Sequence, residues 1–113
     1  MEFILPEEVK EVPVEEDKRY DLIIIGAGPA GMTAAVYAAR KKLDTLIISG
    51  NVGGQTLLAP GVETYMGYQI ITGQELMRKF EEQVRQFPIP LLIGDGVTKL
   101  SVEDNFRYCP NTR

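Results

Sequence analysis

The residues whose types and spacing can do chemistry are glycines. Gly26, Gly28 and Gly31 stand in Gly26-Ala27-Gly28-Pro29-Ala30-Gly31, between the apolar run Asp21-Leu22-Ile23-Ile24-Ile25 and a small-residue run from Met32 to Arg40. A short β-branched run that stops at glycine and restarts as an alanine-rich pattern reads as strand, tight turn and helix. Gly26 permits the sharp exit from the strand, Gly28 has no side chain to hold the backbone away from a large anion, and Gly31 lets the helix lie close on the sheet. Pro29 falls near the first helical position, where its missing N–H removes a donor that would be unpaired anyway. The remaining free N–H groups and the positive end of the helix dipole then face the anion. A second run, Thr45-Leu46-Ile47-Ile48-Ser49, completes a βαβ unit, the setting in which G-x-G-x-x-G cradles the pyrophosphate of a dinucleotide.

Other reactive chemistry is sparse. The chain has no histidine and one cysteine, Cys109, so it can form neither an internal disulfide, nor a Cys/His metal site, nor a histidine-based dyad. No residue is assigned as catalytic or metal-ligating, and any redox chemistry must come from a bound cofactor. Gly53-Gly54-Gln55 follows the second strand; adjacent glycines let backbone approach a flat ligand, and Gln55 brings an amide that both donates and accepts.

The elements that must position these residues follow in order. The first strand is expected over Tyr20 to Ile25, as a central parallel strand buried on both faces. The first helix should run from about Pro29 to Lys41, with Arg40, Lys41 and Lys42 at its negative end. The second strand ends in Ser49-Gly50-Asn51, with no Asp or Glu about 20 residues beyond the glycine turn, which argues against the simplest NAD-binding version. Thr72-Gly73-Gln74-Glu75 is a capping box opening a helix that carries Leu76, Phe80, Val84 and Phe87 on one face. Pro88 and Pro90 end it, Leu91-Leu92-Ile93 reads as the next strand, and Val97 to Val102 as another, between turns at Gly94-Asp95-Gly96 and Glu103-Asp104-Asn105. The fold class is α/β, a Rossmann-like βαβ fold with a parallel sheet, incomplete relative to a full doubly wound domain at 113 residues.

Composition is that of an ordinary globular chain, 44% hydrophobic and 25% charged, with a formal net charge of −4. The negative charge concentrates in an N-terminal extension, residues 1–19, which reads as a solvated arm or linker preceding the domain, with a docking arm as the functional alternative. No stretch approaches the roughly 20 apolar residues that span a bilayer, and no secretion signal opens the chain, so the expected compartment is the cytoplasm, with no membrane partner. There is no basic patch with interleaved aromatics, so no nucleic-acid partner is expected.

Three separated segments, YDLIIIGAGPAGMTAAVYAARKKLDTLIIS, GGQ and VETYMGYQIITGQELMRKFEEQV, carry a resemblance. In order and spacing, roughly from Tyr20 to Asn105, the chain resembles the N-terminal FAD-binding region of the low-molecular-weight thioredoxin reductases and their close flavoprotein relatives. These also commonly lack the acidic residue after the second strand. The resemblance implies FAD as cofactor, with Gly26, Gly28, Pro29, Ala30 and Gly31 along its pyrophosphate, Ser49 and Gly50 near the adenosine ribose, and Gly54 and Gln55 toward the flavin. The family usually places Asn, an aromatic and Pro-Gly in the next loop; here stand Thr64, Tyr65, Met66 and Gly67, so Thr64 keeps a hydroxyl at the contact and loses an amide.

The resemblance divides the chain into the extension, a partial FAD-binding domain over 20–107, and a tail, 108–113, that does not match. It implies an enzyme that passes electrons from NAD(P)H through FAD to a disulfide. NAD(P)H and a thioredoxin-like protein are partners of the intact enzyme only, and a homodimer is compatible with it. Two alternatives stay open: a flavoprotein with a non-disulfide acceptor such as ferredoxin, quinone or oxygen, and a stand-alone, non-catalytic FAD or adenine-nucleotide module.

Overall fold

In the computed structural model, residues 18–94, 96–97, 101–103 and 106–108 are described. The acidic extension through Asp17, the turn residues Asp95, Asp104 and Asn105, and the tail from Cys109 onward lie outside the described residues.

A parallel sheet forms where the β-branched runs lie. Strand β1, Leu22–Ala27, pairs in parallel with β2, Thr45–Val52, and β2 pairs in parallel with β3, Leu91–Ile93, in the order β1-β2-β3. Helix α1, Pro29–Arg40, crosses between the first two strands. Helix α2, Gly73–Val84, precedes β3. A short antiparallel pair, β4 over Ser101–Glu103 and β5 over Phe106–Tyr108, forms a separate two-stranded sheet.

The order of the strands corrects one expectation. Among the described residues β1 lies at an edge and β2 is central. Thr45, Leu46, Ile47 and Ile48 are all buried, whereas Ile25 of β1 is 51% exposed. Both strands are apolar runs, and a run does not encode which neighbour it will have on each side. The strands are also displaced toward their C-terminal ends: β1 begins at Leu22 and continues through Ala27, and β2 continues past Ser49 to Val52.

Two apolar layers sandwich the sheet. On one face Ile24 and Ile47 meet Met32 and Ala35 of α1 and Leu76, Met77 and Val84 of α2, which together make the main core. The α2 stripe expected from its spacing is therefore core packing, with Phe80 and Phe87 partly buried against it. On the other face Leu46, Ile48 and Leu92 cluster with Tyr20, Ile23 and Val97.

Helix ends follow local chemistry. Thr72 caps α2: its Oγ1 accepts the Glu75 backbone N–H at 3.1 Å, the forward half of the expected capping box. The helix stops at Val84, ahead of Pro88 and Pro90, with Arg85 as its C-cap. Helix α1 ends one residue earlier than expected, in a Schellman turn. Leu43 N–H donates to Ala38 O at 3.1 Å and Lys42 N–H to Ala39 O at 2.9 Å. Lys42 takes the left-handed position, with φ of 59°, where glycine is usual. Of the strand expected over Val97 to Val102, Ser101 and Val102 fall in β4, Val97 forms a β-bridge, and residues 98–100 lie outside the described residues.

Candidate functional site

The glycine turn is built at the C-terminal ends of β1 and β2. Gly26 has φ of 105°, a left-handed backbone that ordinary side chains rarely adopt, and turns the chain out of the strand. Pro29 occupies the first turn of α1, as expected, and Gly28 is the N-cap with no side-chain cap bond. Gly31 is required by packing: a Cβ there would collide with the Gly26 carbonyl oxygen and lie 3.2 Å from Ile24 Cγ2. The small-residue helix thus lies directly on its strand.

Gly28 differs from both. Its φ is −83°, which any residue adopts, and a Cβ on it would meet nothing closer than the Gly53 carbonyl oxygen at 4.0 Å. Nothing within the protein demands glycine at this position. It borders open space at the N-terminus of α1, beside backbone N–H groups of the first turn and with no acidic side chain in that turn. Bare backbone, unpaired donors and the positive end of a helix dipole make this a fitting cradle for a phosphate.

The end of β2 holds the turn in place. Pairing runs Ile25 with Ile48 and then Ala27 with Val52, so Ser49, Gly50 and Asn51 bulge out of register. Ser49 Oγ accepts the Ala27 N–H at 3.1 Å and donates to the Asn51 carbonyl at 2.6 Å. The Gly53 N–H donates to Ala27 O at 2.7 Å, and the Gly54 N–H to Asn51 Oδ1 at 3.3 Å. Both backbone groups of Ala27 are therefore held by the C-terminal part of β2 and the residue that follows it. The Ser49 hydroxyl has spent its donor and one lone pair inside the chain, which leaves one lone pair to accept a ligand hydroxyl. Gly50 is exposed, with open space where a side chain would stand.

The second glycine pair converges on the first. A Cβ on Gly54 would lie 3.5 Å from Gly28 Cα. Gly54 also starts a short 3-10 helix, Gly54–Leu58, so the loop expected after Gly53 is partly ordered. Gln55 lies exposed on that helix. The structure thus brings Gly28, Ser49 and Gly54 together around Ala27, with Gly26, Pro29, Ala30, Gly31, Gly50 and Gln55 contiguous with them in the chain.

Thr64 is not drawn into this network. It is exposed, within a segment closed at its base by an antiparallel bridge between Val62 and Ile71, and no hydrogen bond from the described residues fixes its hydroxyl. The neighbouring Tyr65 anchors the segment elsewhere, its ring 5.6 Å from that of Phe80 on α2.

Two positioning residues escape a reading of the sequence. Asn51 holds the Gly54 N–H, and the Gly50-Asn51 dipeptide two residues ahead of a glycine pair is a turn signal that could have pointed to it. Gly73 is the other. A Cβ there would strike the Thr56 carbonyl oxygen and lie 2.9 Å from that of Ala59, so α2 starts directly on the 3-10 helix.

Comparison with known proteins agrees with this architecture. Residues 20–105 match the family described as pyridine nucleotide-disulphide oxidoreductase. The chain belongs to that family. Thioredoxin reductase of Bacillus subtilis is 48% identical over 83 residues, 73% of this chain and 26% of that protein. The crystal structure of Lactococcus lactis thioredoxin reductase superposes with a TM-score of 0.79 at 35% identity, covering 83% of this chain and 31% of that one. A ferredoxin-flavin thioredoxin reductase from Clostridium acetobutylicum superposes with a TM-score of 0.73 at 27% identity, covering 84% of this chain and 33% of that one. The α/β unit thus has the Rossmann-like fold of the corresponding region of thioredoxin reductases. The chain spans about a third or less of the length of these relatives. Among the described residues no helix is long and apolar enough to cross a membrane.

Proposed function

We propose that this pyridine nucleotide-disulphide oxidoreductase chain is the portion of a flavoprotein that binds the adenosine-diphosphate half of FAD. Gly28 carries this reading, because its bare backbone faces open space at a helix N-terminus although the fold itself does not need glycine there. The backbone of Gly28, Ala30 and Gly31 holds the pyrophosphate, with Gly26 and Pro29 setting the turn. Ser49 and Gly50 border the ribose, and Gly54 and Gln55 lie toward the flavin. Thr64 contacts the flavin only if its segment shifts from the position that Tyr65 and Phe80 give it. The cofactor-binding portion covers 20–107, with 1–19 and 108–113 flanking it.

Bound FAD supplies the electron chemistry that no side chain of this chain offers. The chain's own work is to hold and orient it, through backbone donors that need no side-chain protonation. For the intact protein we propose a cytoplasmic reductase that takes electrons from NAD(P)H and delivers them to a disulfide, with a thioredoxin-like protein as acceptor. The likeness to the ferredoxin-flavin enzyme of Clostridium acetobutylicum supports a second reading, in which ferredoxin is the electron partner.

The test is an FAD-binding isotherm, read from flavin fluorescence, for the chain and its Gly28→Val variant. The expected result is a variant with an unchanged far-UV spectrum that has lost FAD binding. Equal affinity in the two proteins would sink the assignment.

A further inference from the structure

A second concavity lies apart from the glycine turn, between the outer faces of α1 and α2. Met32, Val36 and Phe80 supply apolar surface, Tyr37, Tyr65, Arg40 and Gln83 are among the polar residues that line it, and the cleft volume is about 460 Å³. Tyrosine and arginine over an apolar floor are the residue types that anchor protein recognition, and Tyr37 is 66% exposed. Arg40 and the adjoining Lys41 and Lys42 join none of the ion pairs formed among the described residues, which are Lys18 with Asp44, Arg78 with Glu82 and Arg85 with Glu81. The chemistry that fits is a short peptide with bulky apolar residues followed by carboxylates.

The chain carries such a segment, Phe3-Ile4-Leu5-Pro6-Glu7-Glu8, the longest apolar run in a mostly charged extension and the only one with an aromatic ring; Val12-Pro13-Val14 is shorter and less bulky. Its attachment point favours this occupant. Lys18 Nζ lies 3.0 Å from Asp44 Oδ2, and the Asp21 and Leu22 N–H groups donate to Asp44 O at 2.8 and 3.1 Å. The extension therefore leaves the domain beside the C-terminal turn of α1, the end that carries Arg40. The stretch of about ten residues from Glu8 to Lys18 reaches roughly 33 Å when extended. Helix α1, with 12 residues, is about 18 Å long, so the tether spans it. Tethering also presents the segment at high effective concentration, on the order of millimolar for a short flexible link.

We propose that Phe3-Ile4-Leu5 docks in the cleft between α1 and α2 of the same chain, with Glu7 and Glu8 against Arg40, Lys41 and Lys42. Nothing in this docking requires the cofactor, so it stands or falls separately from FAD binding. The experiment compares amide spectra of the isotope-labelled full chain with those of two variants, Phe3→Asp/Leu5→Asp and Glu7→Lys/Glu8→Lys. Shifts confined to Tyr37, Arg40, Tyr65 and Gln83, with Gly26 to Gly31 unmoved, are expected, and raising NaCl should shift the wild-type signals toward those of the lysine variant. Arg40→Glu should release the segment, and combining it with Glu7→Lys/Glu8→Lys should restore the wild-type pattern. Cleft signals indifferent to the extension overturn the proposal. So do shifts that grow with protein concentration, which would make a second copy the occupant. Cleft signals moved by benzoate but not by the extension variants would make the cleft a small-anion site and overturn it as well.

Discussion

Replacing Gly73 with alanine puts the junction between α2 and the 3-10 helix to a quantitative test. The added methyl would collide with the Thr56 carbonyl oxygen and stand 2.9 Å from that of Ala59. Both obstacles are backbone, so neither can rotate away, and the 3-10 helix must move off α2. Overpacking of this kind costs about 1–3 kcal/mol. The same movement weakens the bond from Gly73 N–H to Ala59 O, now 3.0 Å, at a further cost of about 1 kcal/mol. Alanine's better helix propensity returns up to about 1 kcal/mol. The net expectation is a loss of about 2 kcal/mol, which with a urea m-value of about 1–1.5 kcal/mol/M lowers the midpoint by roughly 1.3–2 M. Gln74→Ala, exposed on the same turn, is the control and should stay within about 0.5 kcal/mol of wild type. A Gly73→Ala midpoint indistinguishable from that control would refute the reasoning. Because the 3-10 helix begins at Gly54, next to the bond between Gly53 N–H and Ala27 O, FAD affinity should fall together with stability.

Ser49→Ala removes a hydroxyl bonded to both Ala27 and Asn51 and leaves the buried Ala27 amide unpaired; thermal unfolding should report a loss of about 1–3 kcal/mol. Lys42→Gly should stabilise the chain by about 0.5–1 kcal/mol, since it relieves a left-handed lysine at the end of α1, and an unchanged or lower melting temperature would contradict that. Thr72→Ala deletes the α2 cap and should cost about 1 kcal/mol in the same urea assay, with Thr72→Ser restoring most of it.

What the sequence made legible was local. A β-branched run, a glycine turn and an alanine-rich run locate β1 and α1 to within a few residues, and Thr72 with Glu75 marks the start of α2, because each signal acts on its immediate neighbours. What escaped was set by partners far away in sequence. Gly73 looks like a filler inside a capping box until Thr56 and Ala59 are found against it. Gly50 and Asn51 look like the end of β2, yet the strand bulges through them and resumes pairing at Val52. Within the glycine motif the spacing gave each residue a plausible duty, but only the distances separate Gly31, which the helix packing needs, from Gly28, which the fold leaves free.

The network around Ala27 also bears on the order of events when a ligand arrives. With Ser49 on its N–H and Gly53 on its carbonyl, the turn is fastened before any phosphate is present. Fixing a loose residue costs roughly 1–2 kcal/mol of conformational entropy, and a site already fixed does not incur that cost at the moment of binding. The amides of Ala27 and Gly53 should then exchange slowly with solvent deuterium whether or not the cradle is filled, while those of Ala30 and Gly31 slow only once it is. The turn would meet its cofactor as a rigid socket, and encounter, rather than folding of the loop, would set how fast the site fills.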